Sequence, residues 1–203
     1  MEKDSLMKND SPVYSVVVPV YNSEKSLEEL CSRIHNVFNK LGYNYEIILV
    51  DDSSKDNSWG VLQSLRKENK NIKIIQLMRN FGQHNALMCG FHHIKGHFVI
   101  TMDDDLQNPP EEIPKLIDRI NEGYDAVIGA LKVKQDTFLK KSASLFIRYL
   151  INKIFDKPKN IKLSSFRIIT ASLAEQIRAM KTPYPFIGGM ILTITRNIAN
   201  VSV

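Results

Sequence analysis

The chain has 203 residues, of which 43% are hydrophobic and 24% are charged, and its formal net charge is +5. This size and composition predict one globular domain with a substantial core. They exclude a disulfide-stapled scaffold, because Cys31 and Cys89 are the only cysteines and both fall on apolar faces of predicted helices, as reduced thiols do. They also exclude a bundle of membrane spans, because no apolar stretch reaches the roughly 18 residues that a span requires.

Strands and helices are predicted to alternate along the chain. Residues 1–12 are polar, lack the apolar region of a signal peptide and predict a disordered leader. Apolar runs rich in β-branched residues predict strands at 14–19, 46–50, 72–77, 97–102, 126–129 and 166–170. Amphipathic stretches predict helices at 26–41, 58–69, 83–94 and 171–180, with another beginning near Pro110. This alternation predicts an α/β fold with a mostly parallel sheet.

The first predicted helix has signals at both ends. Ser26 precedes the apolar stripe and Glu29 follows three residues later, which predicts a capping box. Gly42 is expected to end the helix.

Positive charge is concentrated in the second half of the chain. Residues 131–170 contain ten lysines and arginines but only two aspartates. Within them, 137–155 predict a basic amphipathic helix, for which packing on the sheet is favoured over lying on a bilayer surface. A solvated charged face and attraction to anionic lipid or to a phosphate-bearing acceptor are equal alternatives for the whole segment.

The most informative motif is a run of three carboxylates, Asp103, Asp104 and Asp105, directly after a predicted strand. Open α/β sheets bind ligands at the carboxyl ends of their strands. If the run is extended, Asp103 and Asp105 point to the same side, since side chains alternate with period two. Together with the amide oxygen of Gln107 they make a site of hard oxygen ligands, which suits Mg²⁺ or Mn²⁺ carrying a diphosphate.

Three other motifs also stand at or near the ends of predicted strands. They are Val-Val-Pro-Val-Tyr-Asn at 17–22, Val-Asp-Asp-Ser-Ser at 50–54 and Arg-Asn-Phe-Gly-Gln-His at 79–84. With Asp-Asp-Asp-Leu-Gln-Asn-Pro-Pro-Glu at 103–111, they resemble the family-2 glycosyltransferases of the GT-A fold, and most closely the polyprenyl-phosphate (dolichol- or undecaprenyl-phosphate) sugar transferases. The resemblance implies that 13–203 form a GT-A catalytic domain. Because the chain ends within a predicted strand, we expect this domain to be truncated at its C-terminus.

The resemblance also implies roles for individual residues. Asp52 would accept a hydrogen bond from the ring N–H of the nucleotide base, and Pro19 and Tyr21 would shape the base slot. The implied nucleotide-binding residues are Pro19, Tyr21, Asn22, Asp51, Asp52 and Asp103. The implied metal ligands are Asp103, Asp105 and Gln107, and the implied catalytic residues are Asp104 and Asp105.

The implied reaction is inverting, metal-dependent transfer of a sugar from a nucleoside diphosphate sugar to a polyprenyl phosphate. A phosphate acceptor is already an anion near neutral pH, so it needs no general base but does need cationic contacts, for which Lys132 and Arg167 are the candidates. We expect a cytoplasmic protein, peripheral at the inner face of the cell membrane, that binds no nucleic acid. A homo-oligomer is compatible with the sequence.

The chain departs from the family pattern in three places. Ser23 stands where relatives carry an acid, Ser53 where they carry glycine, and Ser164-Ser165 where many carry Gly-Asp. These departures leave open a degenerate transferase that binds nucleotide without turnover, and a saccharide hydroxyl is an alternative acceptor.

A nucleotidyltransferase is disfavoured because 20–25 contain no glycine for a triphosphate loop. A receiver domain is disfavoured because no acid follows the first strand directly, and a zinc site of histidines is disfavoured because no cysteine lies at ligand spacing.

Overall fold

The computed structural model describes residues 13–130, 158 and 161–203. The expected leader, the expected basic helix at 137–155 and Lys132 lie outside the described residues. The described strands are β1 (Tyr14–Val20), β2 (Tyr45–Asp51), β3 (Ile72–Gln76), β4 (Phe98–Thr101), β5 (Ala126–Ala130), β6 (Arg167–Thr170) and β7 (Ile198–Ser202). The described helices are α1 (Leu27–Leu41), α2 (Ser58–Glu68), α3 (Gln83–Phe91), α4 (Ile113–Ile120), α5 (Ala171–Ala179) and α6 (Ile187–Ile194), with a 3₁₀ turn at Pro110–Glu112 before α4.

These strands form one seven-stranded sheet in the order β3-β2-β1-β4-β6-β5-β7. Strand β6 runs antiparallel to both of its neighbours, and the other pairings are parallel. The expected α/β fold with a mostly parallel sheet is therefore confirmed. Strands β1, β2, β3 and β4 all end at the same edge, here called the carboxyl edge, so the predicted strand-end motifs share one side of the molecule.

Helices cover both faces of the sheet, which is why its central strands are apolar on both sides. On β1, Val16 and Val18 pack with α1, α2 and α4, while Val17 packs on the other face with α3, α5 and α6. Gly90 allows α3 to lie close to the sheet, since a Cβ there would stand 2.3 Å from a methyl carbon of Val17. The core thereby fixes β1, and the residues that follow it, between β2 and β4 at the carboxyl edge.

The ends of α1 show one confirmed and one wrong prediction. Gly42 ends the helix in the left-handed region at φ +69°, as expected. The capping box is wrong, because the Ser26 side chain makes no capping hydrogen bond. Its hydroxyl instead donates to the carbonyl oxygens of Ser23 at 3.1 Å and Asp104 at 2.6 Å. Ser26 thus joins the start of α1 to the acidic run after β4.

Helix α6 was not predicted from the sequence. Its residues Ile187–Ile194 are almost all apolar, and six of the eight are buried. In the part of the chain that the structure describes, no helix is both long enough and apolar enough to cross a bilayer.

Candidate functional site at the carboxyl edge

A cavity of about 340 Å³ opens at the carboxyl edge of the sheet. It is lined by Pro19, Val20, Tyr21, Asp52, Asn80, Gly82, Gln83, Asp103, Asp104 and Asp105. A second, larger cavity of about 470 Å³ lies at the opposite edge. Its one carboxylate, Glu46, is paired with Lys73 at 2.6 Å. The smaller cavity is the candidate site, because the residues that line it come from all four sequence motifs.

The acidic run is bent rather than extended. Residues 104–108 form successive bends, and Leu106 adopts φ +61°, which is a strained backbone conformation for a bulky side chain. Asp103 and Asp105 are therefore not placed on one side by strand-like alternation, contrary to the prediction. The bends nevertheless bring Asp103, Asp104 and Asp105 to the wall of the same cavity.

Asp104 connects the end of β4 to the end of β1. Its Oδ2 accepts hydrogen bonds from the backbone N–H of Tyr21 at 3.0 Å and from the hydroxyl of Ser23. Burial raises the pKa of Asp104 above its ordinary value, although these hydrogen bonds act in the opposite direction. In this structure Asp104 positions Tyr21 at the mouth of the cavity.

Asp103 is held from two sides. Its Oδ1 accepts from the side-chain amide of Gln83 at 2.5 Å, and its Oδ2 accepts from the hydroxyl of Ser165. The carbonyl oxygen of Ser165 in turn accepts from the Thr101 hydroxyl at 2.5 Å. The loop before β6 is thereby fastened to both the last residue of β4 and the acid that follows it.

A buried arginine lies behind Asp103. Arg167 is only 3% exposed, and its Nε donates to the Ser165 carbonyl oxygen at 3.4 Å. Its Nη1 is buried and has no hydrogen-bond partner among the described residues. Burial lowers the pKa of Arg167 to about 10, while the negative charge of Asp103 acts in the opposite direction. The site therefore has a cation with an unused donor next to one of its carboxylates.

Asp52 shapes the loop on the other side of the cavity. Its two oxygens accept from the backbone N–H groups of Phe81 at 2.7 Å and Gly82 at 2.8 Å. Gly82 has φ +89°, a conformation that glycine tolerates best. A carboxylate oxygen has more than one lone pair, so the expected contact of Asp52 with a base N–H remains compatible with these hydrogen bonds.

Four of the predicted site residues that the structure describes do not line the cavity: the buried Arg167, and also Asp51, Asn22 and Gln107. Asp51 is fully buried and accepts from Ser54 and Gln76. The side chain of Asn22 accepts from the backbone N–H of Lys55 at 2.7 Å. Gln107 is exposed, and its backbone N–H donates to Oδ1 of Asp105 at 3.0 Å. Each of these contacts of Asp51, Asn22 and Gln107 lies within or between the strand ends and loops that support the site.

The structure also brings in residues whose roles were not predicted from the sequence. Asn80, Gly82 and Gln83 line the cavity, and Ser23 and Ser165 bind the acidic run. The only signal for the first three was their place in the motif at 79–84. Nothing in the sequence paired the two serines with the aspartates, which lie 81 and 62 residues away along the chain.

The carboxylates of Asp103 and Asp105 have the chemistry to hold Mg²⁺ or Mn²⁺. Across residues 13–130, 158 and 161–203, no three His, Cys, Asp or Glu side chains converge into a complete metal site. A divalent cation would therefore need oxygens from a ligand to complete its coordination. Magnesium sites that use one or two carboxylates together with substrate phosphates have this character.

Solved structures share this fold at low sequence identity. TarS from S. aureus (residues 1–349) matches with a TM-score of 0.62 and 22% identity over 93% of this chain. The mannosyltransferase PcManGT from Pyrobaculum calidifontis, in complex with GDP-Man and Mn²⁺, matches with 0.60 and 17% over 84%. The glucosyl-3-phosphoglycerate synthase of Mycobacterium tuberculosis, in complex with phosphoglyceric acid, matches with 0.67 and 19% over 94%. This chain covers 57%, 48% and 70% of those three chains, respectively.

The family model described as "Glycosyl transferase family 2" matches residues 15–178. That range begins in β1, ends in α5 and includes every segment that lines the cavity. The chain therefore belongs to glycosyl transferase family 2.

Proposed function

We propose that residues 13–203 form the catalytic domain of an inverting, metal-dependent glycosyltransferase. Its donor is a nucleoside diphosphate sugar, and its acceptor is a polyprenyl phosphate at the cytoplasmic face of a membrane. The observation behind this proposal is the cavity, whose lining combines Pro19, Tyr21 and Asp52 with the three carboxylates of the acidic run. Family membership and the nucleotide-sugar complexes of structural neighbours support it.

The donor's base is assigned to the side of the cavity formed by Pro19, Tyr21 and Asp52. Tyr21 is 42% exposed, so its ring is available to a planar ligand. Asp52 is buried to 3% exposure and is fixed by two backbone hydrogen bonds. A fixed carboxylate recognises a base N–H at little cost in conformational entropy.

The donor's diphosphate is assigned to the wall formed by the acidic run, where Asp103 and Asp105 would hold the cation that accompanies it. When bound, a divalent cation offsets the negative charge that develops on the leaving nucleoside diphosphate. Gln83 and Ser165 fix both oxygens of Asp103 and so orient this wall before a ligand arrives. Asp105 is the proposed catalytic residue. Asp104, which the sequence also predicted to be catalytic, would be a positioning residue that holds Tyr21 in place.

The acceptor's phosphate is assigned to the neighbourhood of Arg167. A buried arginine with an unused N–H is costly unless an anion compensates it. A phosphate oxygen would provide that compensation, and it could attack the anomeric carbon without first losing a proton. Lys132 remains a candidate for a second phosphate contact.

A hydroxyl acceptor would require a general base close to the sugar. Both oxygens of Asp103 and Oδ2 of Asp104 already accept hydrogen bonds from the protein. An acceptor that arrives as an anion needs no such base, so the site could serve it with its carboxylates engaged in these contacts and in holding the cation. The phosphoglyceric acid bound to one structural neighbour shows that an anionic small molecule binds at least one protein of this fold.

The experiment is a transfer assay with labelled nucleoside diphosphate sugars, Mn²⁺ and three acceptors. They are a short-chain polyprenyl phosphate, the polyprenol of the same chain length and an oligosaccharide. Transfer to the phosphate alone is expected, and Asp105→Asn should abolish it while Asp118→Asn on α4 should not. Transfer to the oligosaccharide would replace the proposal with a polysaccharide-forming enzyme. Metal-dependent donor binding without transfer to any acceptor would indicate a degenerate transferase.

A further inference from the structure

The large exposed apolar side chains of the described residues are all found around the carboxyl edge. They are Tyr21, Met78, Phe81 and Tyr184, with exposures of 42%, 99%, 44% and 88%. Scattered exposed apolar residues are common on soluble proteins, but their concentration around one site indicates an interaction surface.

Each of these side chains is placed at that edge by a contact of its own loop. Tyr21 lines the cavity. Met78 and Phe81 belong to the loop after β3, which Asp52 fastens to the end of β2. Tyr184 lies two residues before Phe186, whose ring packs edge-on against that of His84 in the first turn of α3, 5.6 Å between centroids.

Cationic side chains accompany the apolar ones on both loops. The guanidinium of Arg79 lies 4.6 Å from the centre of the Phe81 ring, and Lys181 is exposed three residues before Tyr184. Arginine, lysine and tyrosine beside exposed apolar tips are the composition with which proteins bind the boundary between lipid head groups and acyl chains.

We propose that Met78, Phe81 and Tyr184 form a membrane-docking rim that inserts into an anionic phospholipid surface and presents the cavity to it. This inference rests on the proposed function, since an acceptor with a long apolar chain resides in a bilayer. A folded protein partner fits less well, because a stable interface needs about 800 Å² of continuous surface on each partner. Here the apolar tips stand on separate loops around a polar, acidic cavity.

The test measures co-sedimentation of the whole chain with vesicles of phosphatidylcholine alone or mixed with phosphatidylglycerol. We expect binding that is stronger to the mixed vesicles and that falls by about tenfold in the double variant Met78→Gln, Tyr184→Gln. These substitutions leave the charge unchanged, so a loss reports apolar insertion. The double variant should have the melting temperature and the nucleotide-sugar binding of the wild type, because the side chains of Met78 and Tyr184 point into solvent.

Charge is tested separately with a matched pair of variants. Arg79→Gln with Lys181→Gln should weaken binding to anionic vesicles only, whereas Lys70→Gln with Lys95→Gln at the opposite edge should change nothing. Wild-type protein that stays in the supernatant with both vesicle types, or a double glutamine variant that binds as tightly as wild type, would overturn the docking rim. A concentration-dependent dimer that the glutamine substitutions dissociate would assign the surface to a second copy instead.

The docking rim and the proposed reaction can fail independently. Vesicle binding without any sugar transfer would keep the rim and reject the acceptor. Transfer to a water-soluble short-chain polyprenyl phosphate by a protein that does not bind vesicles would keep the proposed acceptor and reject the docking rim.

Discussion

The hydroxyl of Ser165 donates a hydrogen bond to Oδ2 of Asp103, and this bond joins the loop before β6 to the acidic run after β4. The other serine at an acidic position of the family pattern, Ser23, makes the equivalent bond to Asp104. The hydroxyls of Ser23 and Ser165 thus occupy positions at which the family pattern has acids. Two further carboxylates at these positions would repel the aspartates of the site. Two of the departures from the family pattern are therefore part of what orients the acids.

Ser165→Ala should leave the fold intact but loosen Asp103. Loss of a hydrogen bond to a charged group costs roughly 1–3 kcal/mol when it is buried, and this one is half-buried, so we expect about 1 kcal/mol of unfolding free energy. Donor affinity in the presence of Mn²⁺ should fall several-fold, as measured by calorimetry. Ser172→Ala on the exposed face of α5 is the control, and equal donor affinity in both variants would contradict the role of Ser165.

Arg167→Met should separate stability from function. A buried cation with an unused donor is costly, so an apolar side chain of similar volume should be neutral or stabilising, by up to a few kcal/mol. Anion binding should weaken by about tenfold or more, because the charge-assisted contact is gone. Calorimetric unfolding and phosphate-acceptor kinetics measure the two effects. A large drop in melting temperature would mean that Asp103 already compensates the arginine in the fold.

Ser53 occupies a backbone conformation that suits glycine. Its φ is +61°, in the left-handed region, which costs a non-glycine residue roughly 1–2 kcal/mol. Ser53→Gly should therefore be neutral or stabilise the protein by up to about 1 kcal/mol. The relief of backbone strain is partly offset, because glycine loses more conformational entropy on folding than serine does. Ser53→Val should destabilise by a similar amount or more.

Urea unfolding measures the free energy of unfolding of these two variants and of the wild type. A glycine substitution in helix α1 is the control, and it is expected to destabilise the protein. Ser32→Gly replaces an exposed helical residue and should cost several tenths of a kcal/mol. If Ser53→Gly destabilised the protein as much as Ser32→Gly does, the conformation found at position 53 would be wrong.

The two thiols should be slow to react in the folded protein. Cys31 is 4% exposed, and burial raises its pKa to about 12, so almost no thiolate forms at pH 8. Burial also raises the pKa of the half-buried Cys89 thiol. Iodoacetamide labelling followed by peptide mass analysis should modify Cys89 first and Cys31 only after unfolding. Rapid labelling of Cys31 under native conditions would contradict its place in the core.

The sequence was sufficient to predict the sheet and the position of its ligand-binding edge. Runs of β-branched residues and short polar segments identified the strands, and acids directly after two of them indicated where a site would form. It was not sufficient to predict which side chain meets which acid, because these contacts join loops that are distant in the chain. It also missed α6, whose uniformly apolar residues carry no amphipathic period, and it assigned Ser26 to a cap when that hydroxyl binds the acidic run.

The most direct test of the account is calorimetric binding of nucleoside diphosphate sugars to the wild-type chain, with Mn²⁺ and with a chelator. We predict that at least one donor binds only in the presence of the cation. Asp105→Asn should weaken that binding by about tenfold or more, and Asp118→Asn on α4 should not change it. Binding that is as tight with the chelator, or unchanged in Asp105→Asn, would contradict a cation-held diphosphate at the acidic run.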